Sequence, residues 1–343
     1  RSDRDWSSDV CSSDLFRTSE VPSLGYAVFA LERGAPAPAS VRPASEPPVL
    51  ENAFYRIVFS ADGGIASIFD KALKCELVDQ AAPYRCNQLV YSKDRNKTFV
   101  TPSGARFEVE VSALGQAVTA RLDDTNTLAE IVQRVSLPAH EKRIDIDNRL
   151  NHARDLGNKK RWDRFGYYAF PFAVPDPAFR VGLNGCHADA YKDQTGLTTD
   201  AYHAARDWAY VGNGAFGVAL VQRDSTLIEC GKIHAPKRTF GEAPATSHLY
   251  SYAFTDWLYA HAWVAGPSHI NLRFRYSILS QAGPFKEARV PQFAERTVAP
   301  SLAAVIPQPQ RGKLPGASHS FLHAEAERSE EHTSELQSRS DLV

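Results

Sequence analysis

The sequence predicts an all-β protein, a large antiparallel β-sandwich with small β segments flanking it. Three observations carry that reading. Apolar and polar side chains alternate with a period of two in segment after segment, as expected of strands with one face buried and one in water. Helical periodicity is scarce over the same span. Turn-forming residues punctuate the strands at short intervals, including Pro83, Pro102-Ser103-Gly104 and Pro138.

Taken in order, Val21–Leu31 (VPSLGYAVFAL) is a short strand-like apolar segment. It is assigned, within residues 16–32, to a preceding small β domain. Residues 33–48 (RGAPAPASVRPASEPP) hold five prolines and four alanines. Proline removes backbone donors and fixes φ, so this stretch is expected to stay unpaired as an extended linker. The main sandwich is placed at 49–282. It opens with a hairpin: Phe54–Phe59, the turn Ala61-Asp62-Gly63-Gly64, then Ile65–Asp70. Further on, Phe107, Val109 and Val111 alternate with Glu108 and Glu110. Ile144 and Ile146 alternate with Asp145 and Asp147, and Leu272, Phe274 and Tyr276 with Arg273 and Arg275. Residues 283–327 begin proline-rich and are expected to lead into a truncated small β unit.

The two extremities share an unusual relationship. Asp5–Leu15 (DWSSDVCSSDL) can be encoded by a DNA string whose reverse complement encodes Arg328–Ser338 (RSEEHTSELQS). Agreement through eleven codons resembles a sequencing-library adapter read from both strands. Residues 1–15 and 328–343 are therefore treated as artefact tails, and Phe16–Glu327 as a piece of a longer protein.

A span of that size can bury roughly three quarters of its unfolded surface. The formal net charge is −1, with no basic block. That argues against nucleic-acid or anionic-membrane partners. No apolar run approaches the length of a membrane span. Outside the tails, Cys75, Cys86, Cys186 and Cys230 lack the paired spacing of a metal knuckle and read as free thiols.

The chemistry that stands out is aromatic. Trp162, Trp208, Trp257 and Trp263 lie close in sequence to Tyr167, Tyr168, Tyr202, Tyr210, Tyr250, Tyr252 and Tyr259, with Asp163, Arg164, Arg206, Asp207, Asp256 and His261 interleaved. Sugars present an apolar C–H face to a ring and hydroxyls to fixed donors and acceptors, so this mixture suits a carbohydrate surface. The same rings equally suit the core of a large sandwich. Asp145 and Asp147 share one strand face, but two near neighbours do not flank a bond as a glycosidase requires. Their neighbours Arg143 and Arg149 suggest a solvated, charge-paired face. His187-Ala188-Asp189 has a spacing that can place two zinc ligands together, yet its surroundings read as a loop. Neither a phosphate loop, a dinucleotide fingerprint nor a nucleophile elbow is present.

Leu50–Asp79 (LENAFYRIVFSADGGIASIFDKALKCELVD) resembles the opening of the C-terminal β-sandwich region of glycoside hydrolase family 38, the α-mannosidases. That region pairs Leu-Glu-Asn and an aromatic strand with a Gly-Gly hairpin, Ile-x-Ser-Ile-x-Asp-Lys and Glu-Leu. Val21–Tyr26 is similar to the family's segment entering the sandwich, and Gly166–Phe172 (GYYAFPF) to its Tyr-x-Ala-Phe-Pro-Phe strand. Asp193–Trp208, Phe216–Gly231, Arg273–Ser280 and Ser320-Phe321-Leu322 continue the resemblance in order. One segment departs: Ser251-Tyr252-Ala253-Phe254-Thr255-Asp256-Trp257-Leu258 stands where many members have Ser-Tyr-x-x-Asn-Asn-Tyr-Trp.

The resemblance implies a galactose mutarotase-like supersandwich, here the non-catalytic part of a retaining, zinc-dependent exo-mannosidase. It implies that the nucleophile and zinc ligands belong to an N-terminal barrel absent from this chain, which then carries no cofactor and no catalytic residue of its own. The expected partners are that barrel, a helical domain and mannose-containing glycans. Tyr167, Tyr168, Asp256 and Trp257 are the expected glycan contacts. A stand-alone carbohydrate-binding sandwich without hydrolase activity, or a purely structural sandwich, fits the same residues.

Overall fold

The computed structural model of the chain describes residues 21–22, 25–29, 39–92, 98–122, 130–153, 165–193, 202–234, 243–255, 270–285, 289–299 and 314–321. In chain order the first strands are β1 (Gly25–Ala27), β2 (Ser40–Ala44), β3 (Val49–Glu51), β4 (Tyr55–Phe59), β5 (Ile65–Asp70), β6 (Cys75–Glu76), β7 (Gln88–Ser92) and β8 (Phe99–Val100). Longer strands follow: β9 (Arg106–Ser112), β10 (Gly115–Leu122), β11 (Glu130–Pro138), β12 (Ile144–Ala153) and β13 (Phe165–Pro171). Then come β14 (Ala178–Gly182), β15 (His187–Asp189), β16 (His203–Ala204), β17 (Trp208–Gly212), β18 (Phe216–Gln222), β19 (Leu227–Cys230), β20 (His248–Thr255) and β21 (Ile270–Ala282). A helix, α1 (Val290–Val298), and β22 (Ser318–Ser320) complete the series.

The chain divides into two compact units. In the first, Arg1–Ala37 with Leu302–Val343, β1 pairs antiparallel with β22. Tyr26, His319 and Phe321 bring their rings together across that pair. The second unit, Pro38–Ser301, holds three sheets among its described residues. A ten-stranded sheet runs β15-β14-β17-β18-β21-β12-β11-β10-β9-β2, a six-stranded sheet β16-β19-β20-β13-β7-β8, and a four-stranded sheet β3-β4-β5-β6. Among the described residues all the strand pairs are antiparallel, as the sequence predicts.

One core joins the three sheets of this unit. Val118, Ile146, Phe274 and Ile278 of the large sheet meet Tyr168, Phe170 and Leu249 of the six-stranded sheet and Ile57 and Ile68 of the four-stranded one. Period-two patterning accounts for it. On β12, Ile144, Ile146, Asn148 and Leu150 turn inward, leaving Asp145, Asp147 and Arg149 on the outer face. β13 breaks that rule: all seven of its residues are buried, because both faces of its sheet are covered. The inward Phe170 ring lies 4.9 Å from Tyr276 across the sandwich.

Polar seams pin the sheets together. The buried amides of Asn87 and Asn148 exchange hydrogen bonds of 3.0 and 2.7 Å, and Gln133 Nε2 donates to the Asn87 carbonyl at 2.9 Å. At the four-stranded sheet, fully buried Asp70 accepts from the backbone of Ala72 and Leu73, from Ser280 Oγ, and from Lys142 Nζ at 2.8 Å. The Tyr55 hydroxyl bonds Ser280 Oγ at 2.8 Å. Burial acts to raise the Asp70 pKa, but Lys142, Ser280 and the Leu73 N–H together hold it below the ordinary value.

Two expectations are corrected. Ser40–Ala44, inside the proline-rich stretch, is not an unpaired linker but an edge strand against β9, with Pro43 opposite Glu108. Proline is compatible with an edge because its missing donor can lie on the side without a neighbour. Residues 290–298 are helical, and Val290, Ala294 and Thr297 are the buried stripe of α1. That stripe packs on Trp208, Tyr210, Val221 and Leu279 of the large sheet's outer face. His187–Asp189 form a short strand paired with β14, and turns and bends flank it on both sides, as its surroundings predict.

Candidate functional site

The hairpin turn between β4 and β5 builds one wall of a cleft. Asp62 Oδ1 caps the turn, accepting from the Gly64 N–H at 3.0 Å and from the Ser60 hydroxyl. Gly63 sits at φ 86°, where a side chain would strain the backbone. Gly64 is required for a different reason: a Cβ there would stand 2.6 Å from Arg85 Cβ. The two glycines thus let the turn lie directly against the segment leading into β7. Ile65 and Cys86 stitch that contact with backbone bonds of 2.7 and 3.0 Å.

The Gln88 side chain completes the wall. Its Nε2 donates to Asp62 Oδ2 at 2.9 Å and its Oε1 accepts from the Arg85 N–H at 2.9 Å. The resulting cleft, of about 460 Å³, is lined by Asp62, Tyr84, Arg85, Gln88, Phe99 and Thr101 together with Ala82, Pro83 and Val100. Tyr84 is half-buried and meets Tyr250 edge-on at 6.3 Å, and burial raises its hydroxyl pKa. The Arg85 guanidinium, also half-buried, has no ion pair or hydrogen bond among the described residues.

Behind the cleft lies the outer face of the six-stranded sheet, where Val90, Phe165, Tyr167, Ala169 and Tyr250 cluster with Tyr84, Phe99, Ile233 and Tyr252. Fully buried Glu229 accepts from the Tyr167 hydroxyl at 2.8 Å and from the His234 N–H. Nearby, His248 Nε2 and Asp79 Oδ2 are 2.8 Å apart.

Of the residues that the sequence analysis singles out, Tyr167 and Tyr168 are adjacent on β13 and have no accessible surface. Tyr167 points to the outer cluster. Tyr168 points into the main core, 5.7 Å from Phe274, and its hydroxyl has no partner among the described residues. Burial drives both hydroxyls well above the usual tyrosine range, and the Glu229 charge adds to the effect at Tyr167. Asp256 and Trp257 lie outside the described residues. Asp145 and Asp147 are charge-paired, with Arg143 at 2.9 Å and with Arg149 and Arg273 at 3.1 and 2.8 Å. The His187 ring packs on Phe285 at 4.9 Å, while Asp189 is paired with Lys192. Among the described residues no group of three or more His, Cys, Asp and Glu is placed to hold a metal ion, so none of them fits a zinc site. Sequence reasoning does not single out Tyr84, Arg85 or Gln88. The available signal was an Asp-Gly-Gly turn followed by Tyr-Arg beside a proline, which shows its meaning only once the two segments touch.

The sequence matches the glycosyl hydrolases family 38 C-terminal domain over residues 50–226, just over half of the chain. The chain belongs to glycosyl hydrolase family 38. Its C-terminal-domain match contains the Gly-Gly turn, β7, β8 and β13, and therefore the whole cleft. Among solved structures, the family 38 chain is similar to an alpha-mannosidase from Enterococcus faecalis V583, with TM-score 0.58 and 14% identity, covering 84% of this chain and 35% of that one. A second family 38 protein from Enterococcus faecalis matches with TM-score 0.54 and 14% identity, over 82% of this chain and 35% of that one. This chain thus spans about a third of the length of both structures. A galactose mutarotase related enzyme from Lactobacillus acidophilus shows a weaker likeness, at TM-score 0.40 and 12% identity over 70% of this chain and 98% of its own. No curated protein sequence matches. Among the described residues no helix is long and apolar enough to cross a membrane.

Proposed function

We propose that this chain is the non-catalytic β-sandwich portion of an α-mannosidase-like glycoside hydrolase, bracing the catalytic barrel and contacting glycan. The observation that carries the reading is the match to the family 38 C-terminal domain. In the complete enzyme, terminal α-mannosides are hydrolysed with retention, on a nucleophile and a zinc ion that belong to the barrel. The barrel, a helical domain and mannose-containing glycans are the partners of this portion.

The way the chain holds its buried acids supports a bracing role. Asp70 is engaged by Lys142 and Ser280, and Glu229 by Tyr167 and the His234 N–H. Acids bound so completely serve the fold. Asp256 and Trp257 are the proposed glycan contacts, a carboxylate beside an indole, while Tyr167 and Tyr168, without accessible surface, belong to the packed sheet. The test is direct. Incubated with zinc and a chromogenic aryl α-mannoside, the chain releases no chromophore, yet titration with α-mannotriose saturates. Sustained turnover overturns the non-catalytic assignment.

A further inference from the structure

We propose that the cleft beside the Gly63-Gly64 turn is a subsite for one pyranose residue of a neutral glycan, with Arg85 and Asp62 as its polar contacts and Tyr84 and Phe99 as its apolar wall. The proposal rests on the glycan-contacting reading above and goes beyond it by naming a place and a chemistry. Its volume, about 460 Å³, falls in the roughly 300–1,000 Å³ range of small-molecule clefts.

The donor and acceptor inventory points to a sugar. A pyranose presents neighbouring hydroxyls, each able to give and to accept a hydrogen bond. A guanidinium offers donors only, and an ionised carboxylate acceptors only. The cleft holds one of each, so its formal charges balance and it suits an uncharged polyol better than an anion. The Arg85 guanidinium is half-buried and has no acceptor among the described residues, which leaves its donors available. Asp62 has one oxygen committed to the turn and the other to Gln88, and an ionised carboxylate can accept further bonds at both. Gln88 is the positioning residue. It ties Asp62 to the Arg85 backbone, so the two charged groups share one rigid support. Tyr84 and Phe99 supply ring surface for the C–H face of the sugar.

The experiment titrates the full chain with α-mannotriose by calorimetry, alongside the variants Arg85→Gln, Tyr84→Ala and Trp257→Ala, with thermal unfolding of each as a folding control. The expected result is saturable binding that weakens about tenfold or more in Arg85→Gln and in Tyr84→Ala, without a change in unfolding midpoint for Arg85→Gln. Binding that survives both cleft variants overturns the subsite and leaves the glycan-contacting reading standing, the more so if Trp257→Ala abolishes it. Absence of any binding to the parent chain overturns both. Tighter binding of trigalacturonate than of mannotriose overturns the neutral-glycan assignment.

Discussion

Two polar regions of the large unit make opposite use of similar residues. At the seam between the four-stranded and ten-stranded sheets, Asp70 and Ser280 have no accessible surface, and both are hydrogen-bonded. At the cleft beside the Gly63-Gly64 turn, Asp62 and Arg85 are half-buried, and Arg85 lacks a protein partner among the described residues. Each region contains a carboxylate, a cation and a tyrosine. The seam encloses its charges and satisfies them from within, which costs desolvation and returns a fixed sheet-to-sheet geometry. The cleft holds its groups on one side and leaves the other to solvent or a ligand. Substitutions at the seam should therefore change stability, and substitutions at the cleft should change binding.

The sharpest way to break this contrast is Lys142→Met. It leaves Asp70 buried without its ion-pair partner and should cost about 3 kcal/mol of unfolding free energy. Denaturant unfolding measures it, and a loss below the noise would show the seam to be ornamental. Asn148→Ala comes next. It leaves the buried Asn87 amide short of two hydrogen bonds and should cost about 2 kcal/mol, with mannotriose binding unchanged in the folded fraction. Gly64→Ala tests the join between the regions. Its new Cβ must push Arg85 aside, so it should cost about 1–2 kcal/mol by overpacking and also weaken glycan binding. Arg273→Ala has the smallest expected effect. Its bidentate pair with Asp147 is largely exposed, and exposed pairs are worth about 0–1 kcal/mol.

Acid should act on the seam in a predictable direction. Burial tends to raise the pKa of Asp70, as it does that of Asp79 and Asp147, but hydrogen bonds and positive charges hold all three below the ordinary carboxylate value in the folded chain. A carboxylate with a depressed folded pKa stabilises fully above its unfolded value, near pH 4, and loses that contribution as pH falls through the folded one. The contribution of these three carboxylates to the unfolding free energy should thus be level from about pH 5 upward and drop below about pH 4. In Lys142→Met the part of that drop due to Asp70 should shrink.

Much of the fold was legible in the residues. Phe54–Phe59 and Ile65–Asp70 with the Ala61–Gly64 turn become β4, β5 and their hairpin, and the alternations near 107, 144 and 272 become β9, β12 and β21. Ser40–Ala44 is hidden because Pro43 and the prolines around the strand argue against pairing, and only an edge position makes Pro43 acceptable. α1 stands where a small β unit is expected: Val290, Phe293, Ala294, Thr297 and Val298 carry a helical spacing, but the proline-rich flanks mask it. The placement of Tyr167 and Tyr168 was illegible for another reason. A strand covered on both faces shows no alternation, so nothing local distinguishes a tyrosine against solvent from one against a second layer.

Chemistry confined to a few neighbouring residues could be read directly from the chain: which side chains share a face, where glycine must bend the backbone, and which family the ordered motifs resemble. Pairing across the fold could not. Asp70 meets Ser280 across 210 residues, and Asp79 meets His248 across 169. Whether a charge is enclosed and neutralised or left facing solvent depends on such distant encounters. Packing makes them, and no local window of sequence contains them.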